Sequence, residues 1–234
     1  MQTHDDGLVV AAVTRLTETI HGLDQDLIAA AAARVGAFLE TARHSVWGVH
    51  LGALVGYAGW VYSHSLNVAL LAIMIGERLG LDRQAGQALG LGALLHDIGM
   101  VLVPPEVLNR PGRLRAEEWL LVRQHPRVGC DMLRPLAMED SVLTIIAQHH
   151  ERYDGSGYPA GIRGSEISLL AGIVAIADAF DAVTSERSYR LRLEPRQAFA
   201  LIKKEQHLFL PEAVAGLERV LPPAWHSASG GQEE

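Results

Sequence analysis

With 234 residues, 49% of them apolar and 20% charged, the chain is long enough for one large domain, or one domain with a short appendage. Its composition excludes an intrinsically disordered protein. A net charge of −7 excludes a nucleic-acid polymer as the main partner, because no basic surface would release its counterions, although a few arginines could still hold a small anion. The single cysteine, Cys130, rules out an internal disulfide, suits a reducing compartment and reads as a small buried hydrophobe.

The acidic start, Met1 to Gly7, has no basic region of a signal peptide. Residues 8 to 46 read as helix, with Leu8, Val9, Val13, Leu16, Ile20, Leu23 and Leu27 at three- and four-residue spacing. Gly22-Leu23-Asp24 breaks this pattern, with Asp24 as N-cap to a second helix over Asp26–Thr41. This segment brings no polar side chains together. It reads as packing surface, as a dimerisation seam or protein-partner surface, or as the remnant of an upstream module. From Leu51 to Gly76 there is no Asp, Glu, Lys or Arg. Tyr57, Trp60, Tyr62, Ser63, His64, Ser65 and Asn67 in that stretch argue for buried core helices and against a membrane span. Residues 52 to 79 form one long helix or a helix pair ending at Gly80, and Asp82 caps the next helix, which runs into His96.

Pro104-Pro105 opens a helical turn and Asn109-Arg110-Pro111-Gly112 is a turn by composition. Ala116–Gln124 is helical with Glu117 and Glu118 in its first turn, Pro126 starts the next helix, and Ser141–Arg152 is another. Tyr153 to Gly161, with three glycines and a proline, is a loop. Ser168 caps a helix reaching about Thr184, Glu194-Pro195 and Pro211 open the last two, and the end of the chain frays. No segment alternates with a period of two, so the fold class is all-α.

Eleven histidines occur, and five stand where a helix meets a loop in apolar sequence: His64, His96, His125, His149 and His150. His4, His21, His44, His50, His207 and His226 read as surface or core fillers. His96-Asp97 places an imidazole and a carboxylate at the mouth of a buried helix; both are metal ligands, and such a carboxylate can bridge two ions. Neighbours on a helix lie about 100° apart, so His149 and His150 can both reach one ion beside a helix end. Asp178, inside the apolar run Ile176-Ala177-Asp178-Ala179-Phe180, needs a cation to offset its burial. Asp181 reads as a supporting or capping group.

These residues carry a resemblance. His96-Asp97, then His125-Pro126 with Gly129, then His149-His150-Glu151-Arg152 with Asp154-Gly155 and Gly157-Tyr158-Pro159, then Ala177-Asp178 with Asp181-Ala182, Thr184-Ser185, Arg187 and Tyr189-Arg190 resemble the HD-GYP family in order and spacing. This is a subclass of the HD-superfamily metal-dependent phosphohydrolases that act on cyclic di-GMP. The likeness runs over residues 58 to 222. It implies a helical bundle of seven to nine helices, in a domain over residues 51–224 that follows an N-terminal segment over 1–50 and precedes a flexible tail over 225–234.

The resemblance implies a site of two divalent ions, iron first and manganese second. His64, His96, Asp97 and Asp178 would hold one, and Asp97 would bridge to a second held by His125, His149 and His150. A water bridging the ions, with Asp97, would be the catalytic centre, opening cyclic di-GMP to linear pGpG or onward to GMP. Arg187 and Arg190 match positions that grip substrate phosphates. Tyr158 either orders its loop or touches substrate. A bacterial cytoplasmic enzyme is implied.

Two departures bear on this. Met100 stands where the family usually has Lys, whose loss would remove about 2–4 kcal/mol of transition-state stabilisation. Trp60 stands where some members carry a carboxylate that helps hold a third metal, which leaves a binuclear site. Ser188 in place of Pro before Tyr189 affects loop stiffness only. Two alternatives stay open: a degenerate relative that binds metal or nucleotide and signals through protein contacts, and a phosphohydrolase for another nucleotide.

Overall fold

The structure is a computed structural model that describes residues 2–110, 112–185 and 192–226, with side chains from residue 7. Helix α1 spans Gln2–Thr19 and α2 Gln25–Arg43; α3 (Val46–Tyr57) and α4 (Gly59–Leu79), separated by Ala58, form a pair that ends where expected but begins at Val46, before the expected residue 52. There follow α5 (Arg83–Leu95), α6 (Pro105–Leu108), α7 (Ala116–Val122), α8 (His125–Leu133), α9 (Asp140–Gln148), α10 (Leu169–Thr184), α11 (Pro195–Lys204) and α12 (Pro211–Val220). Among the described residues there is no strand. The fold is all-α, with more helices than expected because short segments around the site form separate turns.

Local chemistry sets the ends. Asp24 accepts from the backbone N–H groups of Asp26 (3.0 Å) and Leu27 (3.1 Å), and Asp82 accepts from that of Ala85 (2.8 Å). Gly80 takes a left-handed conformation with φ 73°, which stops α4 at the expected residue. Ser168 stands at the start of α10, but its hydroxyl does not cap; its backbone N–H donates to Gln148 Oε1 instead (2.8 Å). Helix α9 is shorter than the expected Ser141–Arg152. It ends at Gln148, because the His149 ring takes up the Ile146 carbonyl that the helix end leaves free (2.8 Å).

Helix α4 is the axis of the bundle. From Val61 to Gly76 every residue but Ser63 is buried, with α1, α2, α3, α5, α10 and α12 packed around it. This is why the stretch carries no charge: each formal charge there would be taken out of water. By length and composition, Gly59–Leu79 and Arg83–Leu102 could each cross a membrane, but 83% and 72% of those windows are buried inside the protein, as in core helices. Leu16, Ile20 and Leu23, the residues considered for a dimer seam, are buried in the chain's own core, and Leu27 is partly buried against it. Cys130 is buried as expected, and burial pushes its thiol up to about 11. Residues 227–234, within the expected tail, lie outside the described residues.

After α5 the chain turns through Ile98–Leu102 and passes so close to the start of α8 that a Cβ on Gly99 would lie 2.1 Å from the His125 carbonyl oxygen. That approach sets Asp97 beside His125. Gly99→Ala should therefore cost about 2–3 kcal/mol, a fall of roughly 4–12 °C in Tm for a chain of this size. A thermal melt checks it, and an unchanged Tm would contradict the close approach.

Candidate metal centre

Seven side chains converge in the middle of the bundle. His64 comes from the second turn of α4, His96 is the C-cap of α5 with Asp97 next to it, His125 opens α8, His149 caps α9 with His150 beyond, and Asp178 lies inside α10. All are buried except His150, which is half-buried. They form two groups. In the first, donor atoms of Asp97, His125, His149 and His150 lie within 4.8 Å of one another; in the second, those of His64, His96 and Asp178 do.

Asp97 spans both groups. Its Oδ1 lies 3.1 Å from His125 Nε2 and 3.9 Å from His149 Nε2, while its Oδ2 lies 3.5 Å from His96 Nε2. Asp178 spans them from the other side, with Oδ1 3.0 Å from His64 Nε2 and Oδ2 3.9 Å from His150 Nδ1. The expectation that His149 and His150 share a helix end is corrected in detail: α9 stops before them, and the turn brings their ring centroids to 4.2 Å.

The same device orients three of the rings. Nδ1–H donates to the backbone carbonyl three residues earlier: His96 to Ala93 (2.7 Å), His125 to Val122 (2.7 Å) and His149 to Ile146 (2.8 Å). A carbonyl only accepts, so each Nδ1 carries a proton and Nε2 is the nitrogen that faces the centre. The outcome is visible between His125 and His149, whose Nε2 atoms face each other at 3.0 Å in a buried space. Two ring nitrogens this close must share a proton or a metal ion. His96 Nε2 is buried with no hydrogen-bond partner. Both observations fit a cation held at these nitrogens, and the C-terminal ends of α5 and α9 add negative dipole character there.

Burial opposes the charged form of His64, but its hydrogen bonds to Asp178 and Asp181 prevail and push it up to about 10. Burial also opposes ionisation of Asp97 and Asp178, yet the surrounding imidazoles hold both well below the usual carboxylate range. For His149 and His150, burial itself favours the neutral ring; His149 falls well below its ordinary value and His150 to about 3.

Asp181 supports the site and caps nothing. Its Oδ2 accepts from His64 Nδ1 (2.6 Å) and Ser185 Oγ (2.9 Å), and its Oδ1 accepts from Asn67 Nδ2 (3.0 Å). Arg15 of α1 donates to Ser185 Oγ, joining the N-terminal helix to this chain of contacts. Asn67 had a sequence signal, as a polar residue one turn after His64 in an uncharged helix. Arg15 had none, since its partner is 170 residues away.

The Tyr153–Gly161 loop lies over His150. The buried Glu151 accepts from the backbone N–H groups of Ala160 (2.7 Å) and Gly161 (3.2 Å), and Tyr158 N–H donates to the His150 carbonyl (3.1 Å). A Cβ on Gly157 would meet Arg152 N at 2.3 Å, so this turn requires glycine. The Tyr158 ring stacks on His150 at 4.7 Å, with the Arg123 guanidinium 4.6 Å from its centre on one side and Trp119 edge-on at 6.2 Å. Burial raises the Tyr158 phenol, which stays protonated. Glu151, Arg123 and Trp119 were missed as neighbours of the site. Arg187 and Arg190 lie outside the described residues. Of the other histidines, His21, His44, His207 and His226 are exposed and His50 half-buried, while the side chain of His4 is outside the described ones.

Comparison with known proteins agrees with this geometry. The model of the HD domain family matches residues 28–211. A cyclic di-GMP phosphodiesterase of Pseudomonas aeruginosa is 42% identical over 132 residues, 56% of this chain and 32% of that protein. A 3′3′-cGAMP-specific phosphodiesterase, number 3 of Vibrio cholerae, is 36% identical over 159 residues, 68% of this chain and 35% of that protein. The chain thus spans about a third of the length of these relatives. Among solved structures, Bd1817, an HDG"Y"P protein from Bdellovibrio bacteriovorus, has the same fold, with a TM-score of 0.61 at 21% identity over 90% of this chain and 76% of that one. With its His-Asp pair and its converging histidines, the chain belongs to the HD domain family, and its motifs resemble the HD-GYP branch.

Proposed function

We propose that this protein is a metal-dependent phosphodiesterase that opens a cyclic dinucleotide, cyclic di-GMP first, to linear pGpG. The observation that carries the reading is Asp97, whose two carboxylate oxygens face two separate groups of imidazole nitrogens. His64, His96, Asp97 and Asp178 would hold one divalent ion, and Asp97, His125, His149 and His150 a second. Nitrogen and oxygen donors without thiolate suit iron or manganese. Two such ions, when bound, supply an activated water at neutral pH and neutralise charge on the phosphate.

The chain's own residues do the rest. Backbone carbonyls and Asp181 hold the rings in ligating orientation, Glu151 pins the loop that carries Tyr158, and Tyr158 covers His150 on the substrate side. Arg187 and Arg190 are assigned to the substrate phosphates on the motif alone. We read the protein as a cytoplasmic bacterial enzyme, with α4 a core helix. A second substrate, 3′3′-cGAMP, is favoured by the relative of that specificity that matches 68% of this chain.

The first test is turnover of cyclic di-GMP and 3′3′-cGAMP by protein reconstituted anaerobically with Fe(II) or Mn(II), with products separated by chromatography. Metal-dependent release of pGpG is expected, falling to background in His96→Ala/Asp97→Ala; GMP as the sole early product would contradict the stop at pGpG. Met100→Lys should raise kcat by about tenfold or more, since a cation there can stabilise developing charge. If no diester is cleaved by wild type or Met100→Lys with both ions bound, the enzyme reading fails.

Asp181→Ala frees the His64 ring and should weaken metal binding about 10- to 100-fold, read by competition with a chelating dye. The pH dependence has a definite sign. The metal-free protein keeps His64 protonated at neutral pH because its pKa is pushed up to about 10, so an ion taking Nε2 must expel that proton. Affinity should therefore rise with pH between 6 and 9, by up to ~tenfold per unit. His149 and His150 are already neutral there and add no slope. Calorimetry in buffers of different ionisation enthalpy should show about one proton released at pH 7; an affinity independent of pH would refute this.

A further inference from the structure

Next to the ligand cluster lies a cleft of about 310 Å³, a size at the lower end of small-ligand sites. Trp60, Met100, Arg110, Arg113, Trp119 and Val122 are among its lining residues. Trp60 stands four residues, one turn, before His64 on α4, and Met100 follows Asp97 by three residues, so two walls of the cleft continue directly from metal-ligand positions. A third wall reaches the cluster through rings: Trp119 lies edge-on to Tyr158, which stacks on His150. Trp60 and Trp119 are 40% and 46% exposed, so two of the largest apolar side chains stand half in solvent around one concavity.

The polar part of the cleft is made of donors. Arg110 pairs with Glu118 Oε1 at 2.6 Å, and the same carboxylate is also held by Arg115 at 2.8 Å. Arg110 Nε–H is nevertheless buried with no acceptor. Arg113 stands exposed at the rim. Indole walls with guanidinium donors match a flat ring with acceptors on its edge, since bases stack on aromatic faces and base-edge acceptors take guanidinium donors. Trp60 and Met100, close in sequence to ligand positions, line this same cleft. An indole and a thioether give the cleft apolar surface on which a flat ring can pack.

We infer that this cleft seats the purine base of the nucleotide remote from the bond being cut, stacked against Trp60 and Trp119, with the arginines at its edge. The inference rests on the phosphodiesterase reading for the identity of the ligand. A guanidinium only donates, and guanine presents two acceptors, O6 and N7, where adenine pairs its N7 with a donor amine. The cleft therefore selects guanine over adenine.

The test uses the full chain loaded with Mn(II) and the bis-phosphorothioate analogue of cyclic di-GMP, which resists hydrolysis, with binding followed by tryptophan fluorescence. Trp60→Leu/Trp119→Leu should weaken binding about tenfold or more and remove most of the quenching, while Trp60→Phe/Trp119→Phe retains most of the affinity. Hydrolysis of methyl p-nitrophenyl phosphate, a diester with no base, should stay within about twofold of wild type in the same variants, because stacking acts on the base alone. Unchanged affinity in the Leu variant would overturn the inference, as would an equal loss of small-ester hydrolysis or failure of the wild type to bind the analogue. Equal affinity for the bis-adenine analogue would overturn the selection of guanine. If the analogue binds in a tryptophan-dependent way but no diester is cleaved, the cleft stands and the phosphodiesterase reading falls. If cyclic di-GMP is cleaved with the same KM in the Leu variant, the reading stands and the cleft falls.

Discussion

The hydrogen bond from a histidine Nδ1 to a backbone carbonyl three residues earlier, made at His96, His125 and His149, is the contact on which the centre depends. At His96 and His149 it takes up a carbonyl that a helix end would otherwise leave unpaired in the core. It also fixes the ring tautomer and rotation, so that Nε2 points inward. A single local interaction thereby closes two helices and aims their ligands. Its consequence is a buried 3.0 Å approach of His125 Nε2 and His149 Nε2, which a shared proton or a metal ion must bridge. The carboxylates of Asp97 and Asp178, held ionised by the surrounding imidazoles, would balance the charge of an ion there.

The fourth ring is held differently. His64 lies within α4, where the carbonyls are used by the helix, so its Nδ1 needs a side-chain acceptor. Asp181 supplies it and is itself fixed by Asn67 and Ser185. Through Ser185 the contact chain reaches Arg15, so a residue of the N-terminal helix bears on the orientation of a metal-ligand position. The N-terminal helices share the hydrophobic core of the rest of the chain, and their role extends to the centre through this one guanidinium.

The helices and the ligand set were legible in the sequence for physical reasons. A histidine at the end of an apolar helix and a carboxylate inside one, such as His96 and Asp178, are costly unless paired, so they stand out against their neighbours. Cap chemistry at Asp24, Gly80 and Asp82 is local and was read to the residue. The end of α9 was misplaced because what stops it is a side-chain contact, from His149 to Ile146, and no Gly or Pro. Arg15 was invisible because its partner is far away in sequence and an arginine on an amphipathic helix reads as solvated surface. Trp60 was read as the loss of a ligand. That it shares a cleft with Met100 and Trp119 depends on the packing of α4, the turn after Asp97 and α7, which no short stretch of sequence encodes.

The two halves of the site carry different information. Metal ions held by the seven ligands would act on a phosphodiester, which every cyclic dinucleotide has, so the ligand set alone cannot separate one such substrate from another. Relatives named for cyclic di-GMP and for 3′3′-cGAMP both match this chain, in keeping with that argument. Discrimination between bases must come from surfaces beyond the ions, where a donor or acceptor meets the edge of a ring. In this chain the surface beside the ligand cluster carries an indole and a thioether, and all seven ligand positions are filled. Specificity in this protein is therefore to be sought in the cleft of Trp60, Met100 and Trp119, and reactivity in the buried imidazoles behind it.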